Sequence, residues 1–492
     1  MKLTSPGSWC VGFFPTFFVT LLTLVLIALS LSAQAQISVV QLSTDTFTNR
    51  QSQHATEVEP DTYAFGSTIV AAFQVGRIYD GGASDIGFAT SLDGGASWTS
   101  GFLPGITVNY QGGHFSAASD PSVTYDASHG VWLIASLGLS SNNSLLVSIS
   151  ADGINWNNPV TADNQSGFAD KDWIVCDNTA TSPFFGHCYV TWDDATTGQV
   201  LMRTSTDGGQ TWGAAKAPAN AFGLGGQPVV QPNGTVVEAF LGDGIQAFTS
   251  TNGGSSWNSA VSVSSVSDHG VAANLRALPL PSAEVDKGKV YVVWQDCRFR
   301  AGCSSNDIVM SKSKDGKVWS AVRRIPIDGV NSTVDHFIPG IAADPTKKGV
   351  HAHLALTYYY YPVANCTEAT CKLRVGFTSS KDGGQTWSKF KKLSVPMLVT
   401  WLPDTSLGFM VGDYISISYV NGKAFGVFAI ANAKVGSTFD EAMYTTVVGL
   451  SLPENVPYFS SQGDVPFPGA KSDHGPRHPD SLELRLKLPP SQ

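Results

Sequence analysis

The sequence predicts an all-β fold, a β-propeller of four-stranded antiparallel blades. The first observation is a box, SLDGGASW (Ser91 to Trp98), which recurs as SADGINW (Ser150 to Trp156), STDGGQTW (Ser205 to Trp212), STNGGSSW (Ser250 to Trp257), SKDGKVW (Ser313 to Trp319) and SKDGGQTW (Ser380 to Trp387). Repetition at such a period is the signature of a repeat architecture. The second is that two or three short alternating apolar runs of strand type precede each box and another follows it. The third is that no helical period runs through these segments.

The elements follow in chain order. Lys2, the apolar run from Val11 to Leu31 and the small-residue site Ala33-Gln34-Ala35 read as a signal peptide over residues 1–35, cut before Gln36. Export to an extracellular or periplasmic space is therefore expected. The propeller is assigned to residues 36–450. Blade two shows the pattern as DPSVTYD (Asp120 to Asp126), VWLIASL (Val131 to Leu137) and LLVSIS (Leu145 to Ser150), then its box. Asp93, Asp152, Asp207, Asn252, Asp315 and Asp382 are spaced by 59, 55, 45, 63 and 67 residues. A seventh blade without a box is read in DYISISYV (Asp413 to Val420), AFGVFAIA (Ala424 to Ala431) and AMYTTVVGL (Ala442 to Leu450). Its fourth strand is expected from ISVVQLS (Ile37 to Ser43), so that the ring closes with no long edge unpaired; seven blades are preferred to six. Residues 451–492 are rich in Pro and polar residues without periodicity, and read as an extended or disordered tail.

Composition narrows the function classes. The 492 residues are 42% hydrophobic and 14% charged, and the formal charge of -9 comes without any basic run. Phosphate neutralisation needs clustered Lys and Arg, so nucleic-acid and anionic-membrane partners are excluded. Beyond Cys10, the cysteines form three close pairs, Cys176 with Cys188, Cys297 with Cys303 and Cys366 with Cys371. Such spacing suits disulfide-closed loops of an exported protein, and no pair has the two-residue spacing of a zinc site. No cofactor or metal is expected. There is no GxSxG elbow for a serine hydrolase. A monomer is expected.

Within the box, Gly supplies backbone angles other residues resist, the Asp side chain accepts hydrogen bonds from nearby N–H groups, and Trp packs against the blade. Asn252 can accept the same bonds. One turn chemistry thus explains all six copies better than six calcium or catalytic sites do.

These boxes resemble the Asp-boxes, the bacterial neuraminidase repeats of sialidases and related secreted propellers, and the resemblance covers most of the chain after the signal. It implies boxes on the rim, away from any active site. In a meander, the turns between strands three and four open on one face, and the loops between strands two and three and between blades open on the other. On that other face stand Glu59, Asp120, Asp170 with Lys171, Gln227, Arg276, His336, and Asp413 with Tyr414. Acids, Arg and Tyr converging on a channel mouth suit a carbohydrate. The sialidase resemblance implies three Arg on the sugar carboxylate, a Tyr nucleophile activated by a Glu, and an Asp as acid/base. An order-compatible set is Arg77, Arg276 and Arg298 for the carboxylate, Asp80 or Asp120 as acid/base, and Tyr414 with Glu238 as the nucleophile pair. Arg300, His336, Asp170 and Asp413 complete the expected binding surface. The family's FRIP motif is absent before the first box, and RRIP at Arg324 follows the fifth box. The expected function is a secreted sialidase-like glycosidase on an acidic sugar. Two alternatives stand beside it: a non-catalytic glycan- or protein-binding propeller, and a polysaccharide lyase in which His336 removes a proton beside a uronic carboxylate.

Overall fold

A computed structural model describes residues 37–452 apart from 142, 165–166 and 348–350, together with residues 1, 2, 4, 5 and 7. The apolar run of the expected signal peptide and the tail beyond residue 452 lie outside the described residues. Every alternating apolar run becomes a strand, and the only helical pieces among the described residues are two 3-10 turns, Ala301–Cys303 and Val399–Trp401. None is long and apolar enough to cross a membrane.

Among the described residues the strands fall into seven successive antiparallel meanders, the first two joined where Ala83 stands opposite Ala118, with a short hairpin of Asp404–Thr405 and Gly408–Phe409 set apart from them. Their first strands are Glu57–Phe65, Ala117–Asp126, Ala169–Cys176, Leu224–Val230, Ser282–Asp286, Asp335–Ala343 and Ser416–Val420. The third meander holds three strands, Ala169–Cys176, Cys188–Asp194 and Gln199–Ser205, and a bridge from Met202 to Lys216 stands in for a fourth. In the seventh, Val39–Gln41 pairs antiparallel with Glu441–Thr446, with Val39 opposite Thr446, so the N-terminal strand does supply the outer edge. The first strand of each meander packs against the first strand of the next, and Ser416–Val420 packs back on Glu57–Phe65.

Apolar clusters fill the spaces between neighbouring sheets, as face-to-face sheet packing requires. Each box Trp stands in one of them. Trp156 joins the cluster of meanders one and two, Trp212 that of two and three, and Trp257 that of three and four. Trp319 and Trp387 do the same for the next two interfaces, and Trp98 for meanders seven and one. The box Trp therefore packs between its own sheet and the preceding one. Burying one indole removes about 200 Å² from water, worth about 5 kcal/mol as an upper bound.

The boxes are turns with a shared hydrogen-bond scheme. Asp93 Oδ1 accepts from the Ala96 and Ser97 amides at 3.0 and 2.9 Å and from Ser91 Oγ at 2.8 Å, while the Gly95 amide donates to Ser91 Oγ at 2.8 Å. Asp382 repeats this with Gln385, Thr386, Ser380 and Gly384. At Asn252, Oδ1 accepts the Ser256 amide and the side-chain amide donates to Ser256 Oγ at 2.8 Å, so the substitution preserves the turn. The Ser97 hydroxyl and amide and the Ser91 hydroxyl hold the Asp93 carboxyl down at about 2. Gly95 has φ +90°, and a Cβ there would meet the Phe425 ring at 2.4 Å. Only glycine fits so close an approach in the left-handed region.

All three cysteine pairs are bonded. Cys176–Cys188 joins the first two strands of meander three, and the other two close loops after the second strands of meanders five and six.

Candidate functional site

The site begins with a defect repeated in the first strands. Their pairing with the second strands slips between Val58 and Asp61, Ser119 and Ser122, Asp170 and Trp173, Leu224 and Gln227, and Phe337 and Pro339. Each slip is a β-bulge, and the residue inside it is left-handed: Glu59 (φ 57°), Asp120 (φ 50°), Lys171 (φ 52°), Gly225 (φ 66°) and Ile338 (φ 48°). In three of them the next residue is proline, which has no N–H to give the ladder. Non-glycine residues in that region carry strain, and such positions cluster at functional sites.

The bulges bring three charged side chains together. Lys171 Nζ lies 3.5 Å from Glu59 Oε1, 3.6 Å from Asp120 Oδ1 and 3.4 Å from Asp413 Oδ2, with only 3% of the Lys171 side chain exposed. One ion pair at about 4 Å gains about 4 kcal/mol at an effective dielectric of 20, and taking an ammonium out of water costs several. Three carboxylates at this range hold the ammonium charged, each at a desolvation cost of its own. Accordingly, burial works against the ammonium, yet Asp413, Glu59 and Asp120 hold its pKa above the ordinary lysine value.

Two cavities flank this cluster. One, open to solvent, is lined by the charged residues Glu59, Arg77, Asp80, Asp120, Asp170 and Arg276 and by the apolar residues Leu139, Phe168, Leu407 and Met410, among others. These residues come from the starts of first strands, the ends of second strands and the connections between meanders, at the strand ends opposite the boxes. The second, smaller cavity is lined by Lys171, Asp172, Trp173, Gly226, Gln227, Ile338, Asp413 and Tyr414, among others.

Arg77 and Arg276 are held in different ways. Arg77 Nη1 donates to Gln74 Oε1 at 3.0 Å and to Gly82 O at 2.7 Å, and the Gln74 amide in turn donates to Glu59. Burial, with Arg276 nearby, pushes the Arg77 guanidinium down to about 10. The backbone of Arg276 is fixed by its amide donating to Phe409 O at 2.8 Å, and its Nη2 donates to Asp413 Oδ2. The Nε–H groups of both arginines are buried and find no partner among the described residues.

The structure thus brings Arg77, Asp80, Asp120, Asp170 and Arg276 to one cavity, with Asp413 as the buried partner of Arg276. The remaining expected residues lie elsewhere. Arg298 is folded onto Asp296, with Nε and Nη2 donating at 2.9 and 2.7 Å, and it also donates to Ser265 O. Arg300 is fully buried, donating to Asp307 through Nε at 2.9 Å and to Asp328 at 2.7 Å. Arg324, the arginine of RRIP, joins the same cluster through Asp307 at 2.9 Å and Asp328 at 2.6 Å. His336 is buried 3.9 Å from Asp328, with ring contacts to Tyr358 and Tyr360, and lines neither cavity. Of the three arginines expected together, the structure brings two, Arg77 and Arg276, to one cavity.

Glu238 and Tyr414 do not pair. The Tyr414 hydroxyl donates to Pro121 O at 3.0 Å, and its ring meets Lys171 and Trp173. Burial, followed by the charges of Glu59, Asp120, Asp172 and Asp61, pushes its phenol well above the ordinary value. Glu238 is fully buried on the second strand of meander four, where a Cβ on Gly226 would lie 1.8 Å from its Oε1. Burial raises its carboxyl well above the usual range, with the Thr191 hydroxyl opposing.

Sequence reasoning gave Glu59 and Lys171 no role. The signal was available in the first strands, where Glu59-Pro60, Asp120-Pro121 and Ile338-Pro339 occupy the bulge and Lys171 takes the same place without proline. Among the described residues two clusters have the residue types of a metal site, Asp126 with Cys176 and Cys188, and Asp307 with Asp328 and His336. The cysteines of the first are disulfide-bonded, and Arg300 and Arg324 occupy the carboxylates of the second.

No family model and no curated protein matches the chain. Among solved structures the chain is similar to a Hadza microbial sialidase, Hz136 (TM-score 0.41, 13% identity, 80% of this chain and 65% of that one). It is also similar to a Trypanosoma rangeli sialidase in complex with sialic acid (TM-score 0.42, 14% identity, 84% and 59%). A third is the intramolecular trans-sialidase from Ruminococcus gnavus (TM-score 0.39, 14% identity, 78% and 92%). The chain thus spans less than two thirds of the first two. None of the site residues is assigned from them.

Proposed function

We propose that this chain is an exported, seven-bladed Asp-box propeller acting as a sialidase-like glycoside hydrolase on an acidic sugar. The cycle of first-strand contacts and the box turns support the propeller, and the three disulfides fit export. The observation that carries the function is that Arg77 and Arg276 line one cavity that also holds Asp80 and Asp120. The guanidinium groups bind the sugar carboxylate by charge-assisted hydrogen bonds. Asp80, exposed at the rim, is positioned as the acid/base, and Asp120, buried beside Lys171, as the facing carboxylate that stabilises positive charge developing at the anomeric carbon. Leu139, Phe168, Leu407 and Met410, which also line the cavity, offer apolar contacts to the less polar side of the ring. The protein works as a monomer.

The test is release of a fluorophore from its glycosides of N-acetylneuraminate and of glucuronate by the purified protein. Release from at least one is expected, with Asp120→Asn lowering kcat by about 10²- to 10⁴-fold. A second reading, a non-catalytic glycan-binding propeller, is favoured by one observation: the Tyr414 hydroxyl is committed to Pro121 and stands apart from Glu238. Binding of these sugars without any release would select it. A uronate lyase based on His336 has no support in the cavity, because that side chain lines neither space.

A further inference from the structure

We infer that Lys171 is a positioning residue: it is a second cation for Asp413, and it allows Arg276 to turn from Asp413 to the carboxylate of a bound sugar. The inference rests on reading the Arg77 and Arg276 cavity as an acidic-sugar site. Asp413 Oδ2 accepts from Arg276 Nη2 and lies 3.4 Å from Lys171 Nζ, and the Asp413 side chain has no exposed surface. A buried carboxylate held by one cation pins that cation, since removing it strands an uncompensated charge. One held by two can release either. Arg276 is the cation with reason to leave. It lines the larger cavity, its side chain is only 9% exposed, its Nε–H has no partner among the described residues, and its Nη1 faces only the weak acceptor Met410 Sδ at 4.0 Å. Lys171, clamped by Glu59, Asp120 and Asp413 and set against the Tyr414 ring, stays behind as counter-ion.

Binding of N-acetylneuraminate to the mature chain, measured by titration calorimetry, tests this through opposite signs. Asp413→Asn, nearly isosteric, releases Arg276 and is expected to tighten binding about tenfold, the scale of one charge-assisted hydrogen bond. Lys171→Met leaves Arg276 as the cation facing Asp413 and is expected to weaken binding by a similar factor, with Lys171→Arg restoring most of it. Should Lys171→Met fail to fold, the sign for Asp413→Asn decides alone. Unchanged or weaker binding by Asp413→Asn overturns the exchange even where the wild type hydrolyses sialosides. Tighter binding without hydrolysis upholds the exchange and removes the glycosidase. A wild type that binds neither N-acetylneuraminate nor, titrated in its place, glucuronate overturns both.

Discussion

The Lys171 ammonium stands 4.1 Å from the centroid of the Tyr414 ring, and the Tyr414 hydroxyl is turned away to donate to Pro121 O at 3.0 Å. The ring, more than the hydroxyl, therefore does the electrostatic work. A cation over a desolvated aromatic face gains about 2 kcal/mol. Tyr414→Phe keeps that contact and loses one hydrogen bond to a backbone carbonyl, so unfolding free energy should fall by about 1 kcal/mol while hydrolysis persists. Abolished hydrolysis in a folded variant would return the nucleophile to Tyr414.

Arg300 belongs to the fold. Its guanidinium neutralises Asp307 and Asp328 in the interior and also donates to the Gly329 and Ser332 carbonyls at 2.9 and 3.0 Å. Arg300→Met leaves Arg324 as the one cation shared by Asp307 and Asp328 and leaves the Gly329 and Ser332 carbonyls without their donor, and should cost about 1–3 kcal/mol in denaturant unfolding. The folded fraction should retain wild-type kcat/KM, and a specific loss of sugar affinity would contradict this placement.

Trp387, only 1% exposed in the cluster joining meanders five and six, is a direct probe of what the boxes hold together. Trp387→Ala is expected to destabilise the chain by about 3–5 kcal/mol. A change below about 1 kcal/mol would mean that the box Trp is dispensable to inter-sheet packing.

Two sets of carboxylates give stability opposite pH slopes. Burial pushes Glu57 and Asp85 up to about 8 and Asp61 and Glu284 up to about 7. Their folded values lie above their unfolded ones, so the stability they contribute is complete below about pH 4 and is lost as pH rises through 7 to 8. The box carboxyls Asp93 and Asp152 are depressed to about 2, so theirs is present above about pH 4 and lost as pH falls towards 2. A melting-temperature profile should therefore peak near pH 4–5, and a monotonic rise to pH 8 would contradict it.

Much of the fold was legible because it is written in repeats. The boxes located six inter-sheet junctions, and the alternating runs located the strands, including Val39–Gln41 at the edge of the seventh meander. The site was legible only in part. Loop position alone led to Arg77, Asp80, Asp120, Asp170 and Arg276, since each sits at a strand end or connection on the face away from the boxes. It misled at Arg298 and Arg300, whose loop is rich in local acceptors: Asp296 and Asp307, two and seven residues from them, take up their charges. It also misled at Glu238, which lies in the middle of its strand, fully buried beside Thr191 of the preceding meander, whereas Arg77 ends its strand at the cavity. Lys171 was given no chemical role because that role depends on three carboxylates distant in sequence, Glu59 and Asp120 at bulges of their own and Asp413 before the strand Ser416–Val420.

The carboxylate preference tests the central claim most directly. The ratio of kcat/KM for an aryl N-acetylneuraminate glycoside to that for its methyl ester isolates what Arg77 and Arg276 contribute. In the wild type the acid should be favoured by about 10²-fold or more, the scale of two charge-assisted hydrogen bonds, and in Arg77→Ala and Arg276→Ala the ratio should fall towards one. An equal ratio in all three proteins would contradict the assignment of this cavity.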